Sequence, residues 1–129
     1  MAASTGTQVR ILLVTPRAGG TGVDVQELQT ITVGPFSSST LAIPTRAIFA
    51  NLDNDPGATP DLVIAAQHDA RVFVYRASRI STIDPVVFPA GSTLLTAPTG
   101  PTKNFGLWVS AGQLDTDANE ELIVSQTGS

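Results

Sequence analysis

A short acidic turn occurs twice in this 129-residue chain, in the same local context and at nearly the same spacing. Leu52-Asp53-Asn54-Asp55 and Leu114-Asp115-Thr116-Asp117 lie 62 residues apart, while Asp61-Leu62 and Glu121-Leu122 lie 60 apart. The two-residue difference is an insertion in the first turn. A repeat of this length constrains the fold more than any local propensity. It points to a stacked or radial array of similar units rather than to a unique globular arrangement.

Each turn sits between two strand-like segments. Leu107 and Val109 alternate with Trp108 and Ser110 at the period of two of a pleated segment, and Leu122-Ile123-Val124 is a short apolar run suited to a buried strand. Between them Gln113, Asp115, Asp117 and Glu121 occupy relative positions 1, 3, 5 and 9, a spacing that turns oxygen-bearing side chains toward one point, as calcium loops do. The matching set in the first turn is Asn51, Asp53, Asp55 and Asp61. Together the turns hold seven of the eleven carboxylates: Asp53, Asp55, Asp61, Asp115, Asp117, Glu120 and Glu121. Carboxylates this close repel one another, and two arrangements relieve that: a bound calcium ion, or a solvated turn whose Asp side chains accept backbone N–H groups.

Phe105-Gly106 followed by Ala111-Gly112-Gln113-Leu114-Asp115-Thr116-Asp117 resembles the FG-GAP repeat, close to the VCBS repeat, of integrin-α-like β-propellers. The resemblance covers about two repeats, over residues 8–126. It implies four-stranded blades, an acidic turn between the first two strands of each, calcium as a structural ligand of that turn, and an extracellular setting. Departures from the family pattern fall within the turns. The first ligand is neutral in both, as Asn51 and Gln113; the turn glycine is replaced by Ala118 in one and by Pro56 then Gly57 in the other. Glycine is favoured there because the backbone enters positive φ, which strains alanine and is closed to proline.

Composition agrees with an all-β chain: 9 Pro, 11 Gly and only 14% charged residues, with no helical periodicity over ten or more residues. A net charge of −4, one lysine and scattered arginines argue against a nucleic-acid footprint. The absence of cysteine excludes disulfides and thiolate metal sites and leaves the compartment open. Met1–Thr7 has neither a charged nor an apolar signal region, and apolar runs such as Ile11–Val14 are far too short to cross a bilayer, so no membrane role is expected.

Catalytic readings find little support. Glycosidase chemistry needs two carboxyls roughly 5–10 Å apart across a cleft, whereas these acids lie within single turns that the repeat explains. His68, the sole histidine, stands beside Asp69 in a turn, without a second histidine or a nucleophile-elbow sequence. Trp108 and Tyr75 offer sugar-stacking faces, but both fall within strand patterns, which predicts core or inter-blade packing.

In chain order, Gln8–Thr15 and Val23–Val33 read as strands around a flexible Arg17–Gly22 segment, with Leu28, Ile31 and Val33 as core contacts of the second. Residues 45–96 carry four strands: Thr45–Asn51, Asp61–Ala66, Arg71–Arg76 and one within Pro85–Thr96. Residues 105–126 carry the first two strands of a further unit, with Leu122 and Val124 in the core beside the equivalent Leu62 and Ile64. Two blades cannot close a ring that needs about 4–8. The expectation is therefore a cyclic homo-oligomer in which residues 8–33 of one chain complete the blade begun by residues 105–126 of the next. Six blades make a trimer and eight a tetramer, with the trimer favoured. The expected function is a non-catalytic scaffold or protein-interaction module; the alternative is a lectin-like propeller that binds glycans. A glycan array separates the two.

Overall fold

The computed structural model describes residues 2–5, 8–33, 43–53, 59–67, 71–78, 88, 93–96 and 107–126. Among them the chain is all-β, with nine strands and no helix: β1 (Ala2–Thr5), β2 (Gln8–Pro16), β3 (Val23–Thr32), β4 (Ile43–Ala50), β5 (Asp61–Gln67), β6 (Arg71–Tyr75), β7 (Thr93–Thr96), β8 (Leu107–Gly112) and β9 (Glu121–Gln126). They form three antiparallel sheets in sequential order, β1-β2-β3, β4-β5-β6-β7 and β8-β9. The four-stranded sheet spans the segment for which the sequence predicts four strands, and the last hairpin forms where two are predicted. β1 is an addition to the two strands expected in the first segment.

The middle sheet is covered on both faces. Leu62, Ile64, Phe73 and Tyr75 point to one side and pack on Val9, Ile11, Ile31 and Val33 of the first sheet, with Phe88. Val63, Ala65, Val72 and Val74 point to the other and pack on Val109, with Ala111 and Leu122 at the margin. Alternation along β5 and β6 thus divides apolar side chains between two cores rather than between core and water. Every residue from Asp61 to Ala66 is buried. At roughly 1.5–3 kcal/mol for each large apolar side chain removed from water, β5 is the strand on which both cores depend.

The outer sheets are less complete. In β2–β3 the register shifts between Ile11 and Leu12: Ile11 faces Gln29 and Leu12 faces Glu27, which leaves Leu28 as a bulged residue. Ile31 and Val33 lie in the core as predicted, but Leu28, the residue left over at the register shift, is exposed. Val124 is exposed and Leu122 only half-buried, against the expectation of a buried β9. Among the described residues β9 has a neighbour on one edge only, so nothing shields its other side. Trp108 likewise is 54% exposed rather than in the core. Its pairing with Ser125 puts it on the face of β8–β9 turned away from the middle sheet, opposite in sense to Val109. Arg46 stacks its guanidinium 5.5 Å from the Trp108 ring centre, and its Nε donates to the Val109 carbonyl at 2.7 Å.

Two local devices fix the ends of the stack. The Gln29 amide holds Phe88 like a strand neighbour: Nε2 donates to the Phe88 carbonyl at 2.8 Å, and the Phe88 N–H donates to Oε1 at 3.0 Å. The segment predicted to be flexible, Arg17–Gly22, closes as a turn. Gly19, Gly20 and Gly22 all take positive φ, and the N–H of Gly20 and the carbonyl of Gly22 bond back to the Arg17 backbone.

Candidate metal centre and the paired acidic turns

The second acidic turn joins β8 to β9. One carboxylate oxygen from each of Asp115, Asp117 and Glu121 lies within 4.8 Å of the other two, with both aspartates exposed and Glu121 half-buried. The turn is also internally bonded. Asp115 Oδ1 accepts from the Asp117 N–H at 2.8 Å, Asp117 Oδ1 from the Asn119 N–H at 2.7 Å, and Glu121 Oε2 from the Leu114 N–H at 2.6 Å. The two aspartate bonds are the Asx-type bonds that shape such turns, and the Glu121 bond closes the turn across its base. They engage Asp115 Oδ1, Asp117 Oδ1 and Glu121 Oε2 in hydrogen bonds within the turn. Gln113 directs Nε2, not Oε1, at the backbone: it donates to the carbonyls of Asp115 and Asp117. A ligand role for the Gln113 oxygen therefore requires the amide to be turned over.

The first turn is neutralised differently. Asp61 is buried at the start of β5, where Oδ2 accepts from Arg76 Nη1 at 2.6 Å and Oδ1 from the Ala77 N–H at 2.8 Å. The same Arg76 Nη1 lies 3.3 Å from Asp53 Oδ2. One guanidinium therefore serves both acids, and Asp61 is paired and hydrogen-bonded as a buried charge must be. Asp55 lies outside the described residues, as do His68 and Asp69.

The two turns touch each other through Asn51 and Glu120. The Asn51 N–H donates to Glu120 Oε2 at 2.7 Å, the Glu120 N–H donates to the Asn51 carbonyl at 2.6 Å, and Asn51 Nδ2 reaches the Ala118 carbonyl at 3.4 Å. Asn51 thus bridges the middle and last sheets. Its Oδ1, like that of Asn119, is buried with no hydrogen-bond donor among the described residues.

Of the predicted ligands, the structure brings Asp115, Asp117 and Glu121 together, sets Gln113 beside them as a donor, and ties Asp53 and Asp61 to Arg76. Arg76 and Glu120 carry roles that sequence reading did not assign. Arg76 had a usable signal: with Leu62 opposite Tyr75 in an antiparallel pair, the next step puts Asp61 across from Arg76. No protein-family model matches the chain, and comparison with curated proteins and with solved structures finds no match. The resemblance to FG-GAP repeats therefore rests on the residues of the turns and their spacing.

Proposed function

We propose that this chain is a non-catalytic scaffold of the β-propeller type, in which the middle sheet is one blade, the last sheet of one copy and the first sheet of the next make up another, and copies of the chain close into a cyclic homo-oligomer. The observation that carries the reading is the unequal burial of the sheets. The middle one is sandwiched between its neighbours, while the last keeps Trp108 and Ile123 exposed on its outer face. A further sheet stacked there would bury them as β8–β9 buries Val63 and Val74. With two blades for each chain, three copies give six blades and four give eight, both within the range of closed rings; the trimer is favoured. Light scattering on the 129-residue chain tests this. Chains of 13.4 kDa should appear at about 40 kDa as a trimer or about 54 kDa as a tetramer, and a folded 13.4 kDa species would end the ring model.

Calcium fits the second turn better than the first. Asp115, Asp117 and Glu121 offer converging hard oxygen ligands of the kind calcium takes, whereas Asp53 and Asp61 already share Arg76. A bound ion there would brace the β8–β9 hairpin and supply no chemistry beyond that. The lectin-like reading has one observation in its favour, the exposed Trp108 ring. Because Arg46 stacks on that ring, the scaffold reading stands first.

A further inference from the structure

The two acidic hairpins show what the second one lacks. In the middle sheet β5 has β6 beside it, Leu62, Val63 and Ile64 are fully buried, and the Arg76-Ala77 pair at the end of β6 takes both oxygens of Asp61. In the last sheet β9 has no third strand among the described residues. Ile123 and Val124, the counterparts of Val63 and Ile64, are exposed, and Glu121, the counterpart of Asp61, has no arginine among the described residues.

The first sheet offers the complement. β1 pairs with β2 only from Gln8 to Ile11, so the far half of β2, Leu13–Pro16, has a strand on one side alone among the described residues. Leu13 is 44% exposed there. Immediately after β2 comes Arg17-Ala18, as Arg76-Ala77 comes immediately after β6. In the single chain Arg17 turns toward β3, where it makes an exposed 2.8 Å pair with Asp24, and docking β9 on the free edge of β2 exchanges that exposed partner for Glu121. Within one chain β9 cannot reach β2, since the middle sheet stands between them. The partner with the right edge, length and charge is a second copy of the same chain.

We propose that β9 of one copy pairs antiparallel with the far half of β2 of a second copy, and that the second copy's Arg17 gives Glu121 the guanidinium that Arg76 gives Asp61. Laid down in the β5–β6 register, β9 stops where β1 begins, so the two strands share the β2 edge without overlap. The apolar edges Leu13 and Ile123-Val124 are covered together, and two open sheet edges, each a liability alone, are used up.

The inference rests on the self-assembly reading, and charge variants separate the two. Light scattering across a dilution series should give wild-type assembly, an association about 100-fold weaker for Arg17→Glu, and recovery in the double variant Arg17→Glu/Glu121→Arg. The Arg17–Asp24 pair is exposed on both sides and adds little to folding, so circular dichroism should show Arg17→Glu folded; if it is not, Arg17→Gln takes its place. An Arg17→Glu chain that assembles as tightly as wild type overturns the arginine clasp and leaves the ring standing. Failure of the double variant to recover also overturns it. A wild-type chain that remains at 13.4 kDa at its highest soluble concentration overturns the assembly reading beneath it.

Discussion

The β4–β5 and β8–β9 hairpins carry the same pattern of residues in different surroundings. Leu62 and Ile64 are fully buried, while Leu122 is half-buried and Val124 is exposed. Asp61 is enclosed and paired; Glu121 lies in an open cluster of acids. Sequence identity therefore does not set burial here. What differs is the third strand: β6 both covers β5 and delivers Arg76, and the last sheet shows no equivalent among its described residues. Packing and charge neutralisation arrive together because one strand supplies both.

The sharpest test of that contrast compares equivalent leucines. Leu62→Ala should cost about 4 kcal/mol, as a fully buried leucine does, and Leu122→Ala about 1–2 kcal/mol because half of its surface stays in water. Urea unfolding at one fixed chain concentration measures both, and equal losses would mean that β9 is as enclosed as β5. Next in size is Arg76→Ala, expected to cost about 3 kcal/mol, since it strands Asp61 buried with a single remaining N–H partner. Asp61→Asn/Arg76→Ala should recover part of that loss; a single variant as stable as wild type would place Asp61 in water. The metal effect comes after these. Calcium at a hundredfold above its dissociation constant should stabilise the chain by about 2.7 kcal/mol. The effect should vanish in Asp115→Asn/Asp117→Asn and persist in Asp53→Asn. Identical melting curves in chelator and in calcium would remove the metal from the second turn.

The sequence makes the hairpins legible because their signal is local. The acidic turns and their flanking apolar runs each lie within a short window, and the second copy of that window some 60 residues on confirms the pattern. β5 and β6 are recognisable for the same reason, although their alternation serves two cores instead of one. What escapes is set by distant partners. β1 is Ala-Ala-Ser-Thr, with no apolar alternation, and becomes a strand only because β2 offers it an edge. The exposure of Leu28 follows from a register shift that depends on how Ile11 and Leu12 pair across the sheet. Glu120 reads as one more acid in a crowded turn; its bond to the Asn51 N–H exists because two sheets bring residues 69 apart in sequence together. Arg76 sits nearer the surface of the sequence, since antiparallel pairing alone predicts its neighbour.

The burial of β5 on both faces has a consequence for the chain before it folds. Leu62-Val63-Ile64-Ala65-Ala66 contains no charge, no proline and no glycine, the composition of segments that pair indiscriminately between newly made copies. Pro60 and Asp61 stand immediately before it. Proline cannot extend such pairing on its N–H side, and stacked aspartates repel. Asp61 thus has two successive duties, first as a gatekeeper that keeps nascent chains soluble and then, once β6 arrives with Arg76, as the anchor that locks the folded sheet.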